Sequence, residues 1–178
     1  MMNIPGHMTD NDFKMLVNIT SFFDDKVSIT EVGCLYGRSS VMWANACIQH
    51  NLEYDIHCMD SWAEDEHTDG KDAKKVYEEF TNNIKGYNIT HEIMKHNMPV
   101  VWYGCEHAYR DIVFYDACHT YHSTLNSLEY WSQRTKYLVI DDLQMEQVRW
   151  AINAFVENTD YKLVNDFGSK VGYIECSS

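Results

Sequence analysis

The sequence predicts an α/β domain of the doubly wound kind. In it, a mostly parallel, seven-stranded sheet lies between two helical layers and ends in a C-terminal antiparallel hairpin. Three observations carry this reading. Short β-prone runs alternate with stretches of helical periodicity, the pattern of parallel strands joined by crossover helices. The last two β-prone runs, YKLVNDFG and KVGYIECS, sit around Gly168-Ser169 with no helical stretch between them, so they pair as a hairpin. No repeat, linker or low-complexity segment interrupts the chain, and its two prolines are Pro5 and Pro99. Residues 1–178 are therefore expected to form one domain, with a helical N-terminal segment at 1–27 and a three-layer core at 28–178.

Each element has its own signal. Thr9 and Asp12 have capping-box spacing, and apolar residues at 13, 16, 17 and 23 share a helical face. The first strand is expected at about 28–33. Ser39 or Ser40 then caps a helix carrying Val41, Ala44 and Ile48 on one side. DIHCMD (55–60) reads as the second strand, followed by a polar stretch from Ser61 to Asp72. Val76, Tyr77, Phe80 and Ile84 mark a helix, and Asn88 to Lys95 a third strand. DIVFYD (111–116) is the fourth strand, and Tyr121, Thr124, Leu125, Leu128 and Trp131 fall in helical register after it. KYLVID (136–141) is the fifth, followed by a helix marked by Met145, Val148, Ile152, Phe155 and Val156.

Composition narrows the function classes. At 45% hydrophobic and 23% charged residues the chain is globular in type. No apolar run approaches the about 20 residues of a membrane span, and MMNIPGHMTD lacks the basic-then-apolar order of a signal peptide. A soluble, cytoplasmic protein with no membrane partner is expected. The net charge of −13, from 14 basic and 27 acidic residues, argues against nucleic acid as a partner, because phosphates are held mainly by Lys and Arg. Six cysteines form no C-x-x-C pair and several lie in apolar runs, so they read as reduced, buried thiols.

In open α/β sheets the ligand lies beyond the carboxyl ends of the strands, where the strand order reverses. Those positions here are Glu31 to Gly37, Asp60, roughly His96-Asn97, Asp116 and Asp141-Asp142. Four of the five carry an acid, although a strand end needs no carboxylate to fold. A helix N-cap explains any one of them, but not the set. Gly33 and Gly37 would let the backbone turn and approach a ligand. Glu31 suits a positive amino group rather than a diphosphate, and Asp60 lies where an acid grips ribose hydroxyls. S-adenosylmethionine fits both acids better than NAD does. Trp62 reads equally as an adenine-stacking ring and as a partly buried indole.

Asp116, Asp141 and Asp142 together make a hard-oxygen set suited to Mg²⁺ or another divalent cation. The plainer reading has Asp142 capping the next helix and Asp116 taking substrate hydrogen bonds. His119 reads as a general base, as a support for a neighbouring group or as a bystander. Asp116, His119 and His122 form a weaker match to a non-haem iron triad.

EVGCLYGRSS, CMDSW, DIVFYDACHTYHSTLNSLEYW and VIDDL, in this order and spacing, resemble the class I S-adenosylmethionine-dependent methyltransferases. More narrowly they are similar to the small-molecule O-methyltransferase group that includes macrocin O-methyltransferase and the cephalosporin-hydroxylase-like proteins. IPGHM near the start resembles that group's entry segment. The resemblance implies a Rossmann-like fold with Glu31, Gly33 and Gly37 in the methionine-binding loop and Asp60 as the ribose-binding acid. Ser39, Ser61, Trp62 and Asp116 complete the expected cofactor contacts. It further implies a divalent ion on Asp116, Asp141 and Asp142, with His119 and Asp116 at the reaction centre.

Two positions depart from the group's pattern. Leu35 replaces the middle glycine, and Arg134-Thr135-Lys136 replaces a Gly-Gly before the fifth strand. With 178 residues there is little chain for a cap over the acceptor, so the acceptor pocket is expected to be open or completed by another subunit. The expected acceptor is a hydroxyl of a small molecule such as a sugar, oriented by the metal, with His119 taking its proton. The competing readings are an inactive S-adenosylmethionine-binding protein or partner subunit, a protein methyltransferase, an NAD-dependent enzyme and an iron oxygenase.

Overall fold

The computed structural model describes residues 4–62, 72–94 and 109–176. Its elements in chain order are α1 (Asp10–Thr20), β1 (Lys26–Val32), α2 (Arg38–Gln49), β2 (Glu53–Asp60), α3 (Ala73–Asn83), β3 (Ile89–Ile93), β4 (Arg110–Tyr115), α4 (Tyr121–Trp131), β5 (Thr135–Ile140), α5 (Glu146–Glu157), β6 (Leu163–Val164) and β7 (Gly172–Glu175). The sheet has seven strands in the order β3-β2-β1-β4-β5-β7-β6. The first five are parallel, and β7 pairs antiparallel with both β5 and β6. This is the expected doubly wound architecture with its terminal hairpin. The order reverses between β1 and β4, which puts the crevice at their carboxyl ends.

Strand alternation divides the core in two. Ile29, Ile56, Ile112 and Phe114 face a cluster filled by Met15, Leu16 and Ile19 of α1, Val41, Trp43 and Ala44 of α2, and Val76 and Phe80 of α3. Val32, Met59, Val113 and Tyr115 face the other cluster, with Leu128 and Trp131 of α4 and Val148, Ile152 and Phe155 of α5. A period-2 strand between period-3.6 helices yields these two layers.

Several local expectations are corrected. Neither Ser39 nor Ser40 caps α2: Gly37, at φ 79°, is the N-cap, and no side chain bonds there. The left-handed backbone at Gly37 starts the helix, so both serines fall in its first turn. Ile48, expected on the buried side of α2, is 51% exposed. β1 begins at Lys26, two residues before the expected core boundary. The Thr9–Asp12 capping box forms as read, and Met15 and Ile19 join its buried face. Among the described residues, Cys34, Cys47, Cys58 and Cys176 are buried free thiols, whereas Cys118 is exposed. Cys105 and the expected strand-end position at His96-Asn97 lie outside the described residues. Among the described residues, no helix is long and apolar enough to cross a membrane.

Candidate active site

The loop after β1 is shaped by close packing. Gly33 has φ 89°, and a Cβ there would lie 1.9 Å from the Asp116 carbonyl oxygen. Only glycine permits this approach, which brings the β1 loop against the end of β4. The Gly33 N–H donates to Met59 O (2.9 Å), and Asp116 N–H donates to Val32 O (2.8 Å), so three strand ends are tied together. A Cβ at Gly37 would press on Phe80 (3.0 Å) and Ile84 (3.2 Å), which shows that this glycine seats α3. Leu35, in place of the middle glycine, keeps a left-handed backbone at φ 43°. The loop therefore retains a glycine-type bend with a leucine in it.

Asp60 braces that bend. Its Oδ2 accepts from the backbone N–H groups of Cys34 (2.6 Å) and Leu35 (2.8 Å), and its Oδ1 accepts from Trp62 N–H (2.8 Å). A carboxylate has about four acceptor sites, so capacity for one further donor remains. Ser61 follows it, half-buried. Trp62 is 5% exposed, with Phe80 at 4.6 Å and Tyr77 at 5.0 Å between ring centroids, and its indole N–H donates to Leu35 O. The Trp62 indole is therefore buried against α3 and supports the loop.

Glu31 lies beneath the loop and is fully buried. Its Oε2 accepts from the Cys58 thiol (3.4 Å), while Oε1 has no hydrogen-bond partner among the described residues. Burial pushes its carboxyl up from the usual 4.5 to about 7, against the pull of the Ser39, Ser40 and Cys58 donors. Burial likewise raises the Cys34 and Cys58 thiols, which keeps both protonated beside it. The N-terminal IPGHM segment closes over the start of α2. Arg38 donates to Ile4 O (2.8 Å) and Met8 O (3.0 Å).

The second half of the site lies at the ends of β4 and β5. His119 Nε2 is 3.0 Å from Asp142 Oδ2 and 3.7 Å from Asp116 Oδ1. Burial alone would pull the imidazole down, but the two carboxylates outweigh it and push it up to about 10. The two carboxylates therefore favour the charged imidazolium over the neutral ring. Burial pushes the Asp116 carboxyl up, with His119 opposing. For Asp142 burial is overcome by His119, Lys170 and Gln144, which hold it well below the usual carboxylate range. Asp142 also takes a left-handed backbone at φ 55°.

Sequence reasoning missed one member of this cluster. Lys170, in the loop before β7, places Nζ 2.7 Å from Asp141 Oδ2 and 2.8 Å from Asp142 Oδ1. The ligand atoms of Asp116, His119 and Asp142 converge within 4.8 Å, and Asp141 is not among them. His122 is exposed on α4 and also stands outside the group, so the iron-triad reading does not form. No sequence signal marked Lys170, a lone basic residue 28 positions after Asp142.

A family profile described as "Methyltransferase domain" matches residues 30–143, which span the loop, Asp60 and the acid cluster. The chain belongs to this methyltransferase family. Solved structures share the fold at low identity. The O-methyltransferase NovP is 14% identical with a TM-score of 0.67, over 94% of this chain and 80% of that one. The Podospora anserina methyltransferase PaMTH1, bound to S-adenosylhomocysteine (SAH), is 10% identical with a TM-score of 0.62, over 93% and 78%. A Clostridium thermocellum protein described as a putative rRNA-methylase is 11% identical with a TM-score of 0.62, over 97% and 99%. No curated protein sequence matches this methyltransferase.

Proposed function

We propose that this methyltransferase transfers the methyl group of S-adenosylmethionine to a hydroxyl of a small, uncharged or cationic acceptor such as a sugar. The observation that carries this reading is the meeting, at the strand-order reversal, of a bent glycine loop braced by Asp60 with the Asp116–His119–Asp142 cluster. The residues fit the cofactor. Asp60 keeps acceptor capacity for a ribose hydroxyl, and the unpartnered Oε1 of Glu31 puts negative character under the loop where a cationic ligand would lie. The loop 33–37, Ser39, Asp60 and Ser61 would hold it, with Trp62 supporting the loop from behind. The sulfonium of S-adenosylmethionine supplies an electrophilic methyl group.

The chain's own residues then act on the acceptor. Asp116 accepts the proton of the hydroxyl, supported by His119, which stands between it and Asp142. The His119 imidazolium balances the carboxylates at either side and holds Asp116 in place. The three-acid metal site does not fit, because the Lys170 ammonium lies between Asp141 and Asp142. The net charge of −13 favours a small acceptor over nucleic acid, even though an rRNA-methylase shares the fold.

Calorimetric titration with S-adenosylmethionine and SAH, with NAD as control, tests the cofactor half. Binding of the first two alone is expected, and absence of both isotherms would end the reading. Asp116→Asn is expected to keep SAH binding while slowing methyl transfer by about 10²–10⁴-fold. Full activity in that variant would remove Asp116 as the proton acceptor.

A further inference from the structure

We infer that Lys170 is the built-in counter-cation of the acid cluster, standing where the acids would otherwise hold a divalent metal. The Asp141–Asp142 pair thus carries its own cation and needs no metal to balance it. This rests on reading the cluster as the acceptor end of a methyltransferase site. A divalent ion shared by Asp141 and Asp142 must sit about 2.0–2.6 Å from an oxygen of each. The Lys170 ammonium takes that place, at 2.7 Å from Asp141 Oδ2 and 2.8 Å from Asp142 Oδ1.

Lys170 is no swinging surface lysine. Its side chain is 18% exposed, and its backbone is fixed from both directions. Its N–H donates to Asp12 Oδ1 (3.1 Å), and its carbonyl accepts from Leu143 N–H (2.9 Å). The neighbouring Ser169 hydroxyl donates to the same Asp12 oxygen (2.7 Å) and accepts from Val171 N–H (2.8 Å). Asp12 is 1% exposed, and its other oxygen closes the α1 capping box with Thr9. A buried carboxylate on the first helix thereby holds the loop that delivers the ammonium. Held this way, the ammonium is a preorganised charge rather than a mobile one.

The substitution changes what the acceptor must look like. A hydrated divalent ion with open positions selects a substrate with two neighbouring oxygens that can chelate it. An ammonium offers only hydrogen-bond donors and has no such requirement. The acceptor class is therefore a hydroxyl compound that needs no vicinal diol.

Manganese titration followed by electron paramagnetic resonance, with SAH calorimetry on the same samples, tests this. Wild type and Lys170→Arg are expected to leave Mn²⁺ free up to about 1 mM, weaker than a dedicated carboxylate site. Lys170→Met is expected to gain a Mn²⁺ site at least tenfold tighter, lost again in Lys170→Met/Asp141→Asn. Micromolar Mn²⁺ binding by wild type that Asp141→Asn abolishes would overturn the inference, as would equal binding in wild type and Lys170→Met. If Lys170→Met does not fold, wild type and Lys170→Arg decide: tight binding in either overturns it, and weak binding in both supports it. SAH binding in these samples keeps a failure here distinct from a failure of the methyltransferase reading.

Discussion

Asp60 at the end of β2 and Asp142 at the end of β5 are both strand-end acids, and each is neutralised by a different kind of group. Asp60 is met by three backbone N–H groups, from Cys34, Leu35 and Trp62. Asp142 is met by two cationic side chains, Lys170 and His119. Backbone amides cannot rotate away without unfolding the loop, so the first half behaves as fixed framework. Side chains can exchange partners and protons, so the second half can respond to a substrate. Both halves hold non-glycine residues in left-handed backbone, at Leu35, Trp62 and Asp142. Such strain persists only where surrounding structure over-determines it, and it clusters at functional edges.

The strongest way to break this division is to push the two halves apart. Gly33→Ala would set a Cβ 1.9 Å from the Asp116 carbonyl oxygen, at a φ of 89°. A loss of about 3 kcal/mol or more in thermal unfolding is expected, with SAH binding abolished. Near-normal stability would show that the halves are not rigidly joined.

Glu31→Gln sharpens the account of the first half. Burial raises the folded-state carboxyl from 4.5 to about 7, so folding retains a proton that the unfolded chain has already released. Wild-type stability should then fall as pH rises from about 4.5 to 7 and level off above. The shift corresponds to about 3 kcal/mol. At pH 8 the glutamine variant is expected to unfold later than wild type, with a flatter pH profile and weaker SAH binding. A less stable variant at pH 8 would mean that the ionised carboxylate is already compensated.

Leu35→Gly has the smallest expected effect. Relief of left-handed strain, about 1 kcal/mol, is offset by glycine's added chain entropy and the lost side chain. Stability within about 1 kcal/mol of wild type and unchanged SAH affinity are expected. A loss above about 2 kcal/mol would show that the leucine side chain, not the bend, holds the loop.

The sheet, its hairpin and the strand-end acids were legible because they depend on local periodicity and on one rule about where α/β sheets bind ligands. The helix starts were less so. Ser39 and Ser40 looked like caps, but the left-handed backbone of Gly37 fills that role. Trp62 was ambiguous because an indole has the same sequence signature whether it meets a ligand or Phe80. Lys170 was invisible, since its meaning comes entirely from two acids on another strand end. The environment of His119 was half hidden for the same reason: Asp116 is three residues away in sequence, but Asp142 reaches it only through the fold.

The Asp12 carboxylate, 157 positions before Ser169, has a consequence for how the molecule assembles. During synthesis the three acids of the cluster emerge before Lys170 does. Contacts so far apart in sequence cost the most chain entropy to close when they form from the unfolded chain. Until the hairpin docks on α1, the acids face one another without their lysine. The charge balance of the reaction centre thus depends on a contact between the first helix and the C-terminal hairpin.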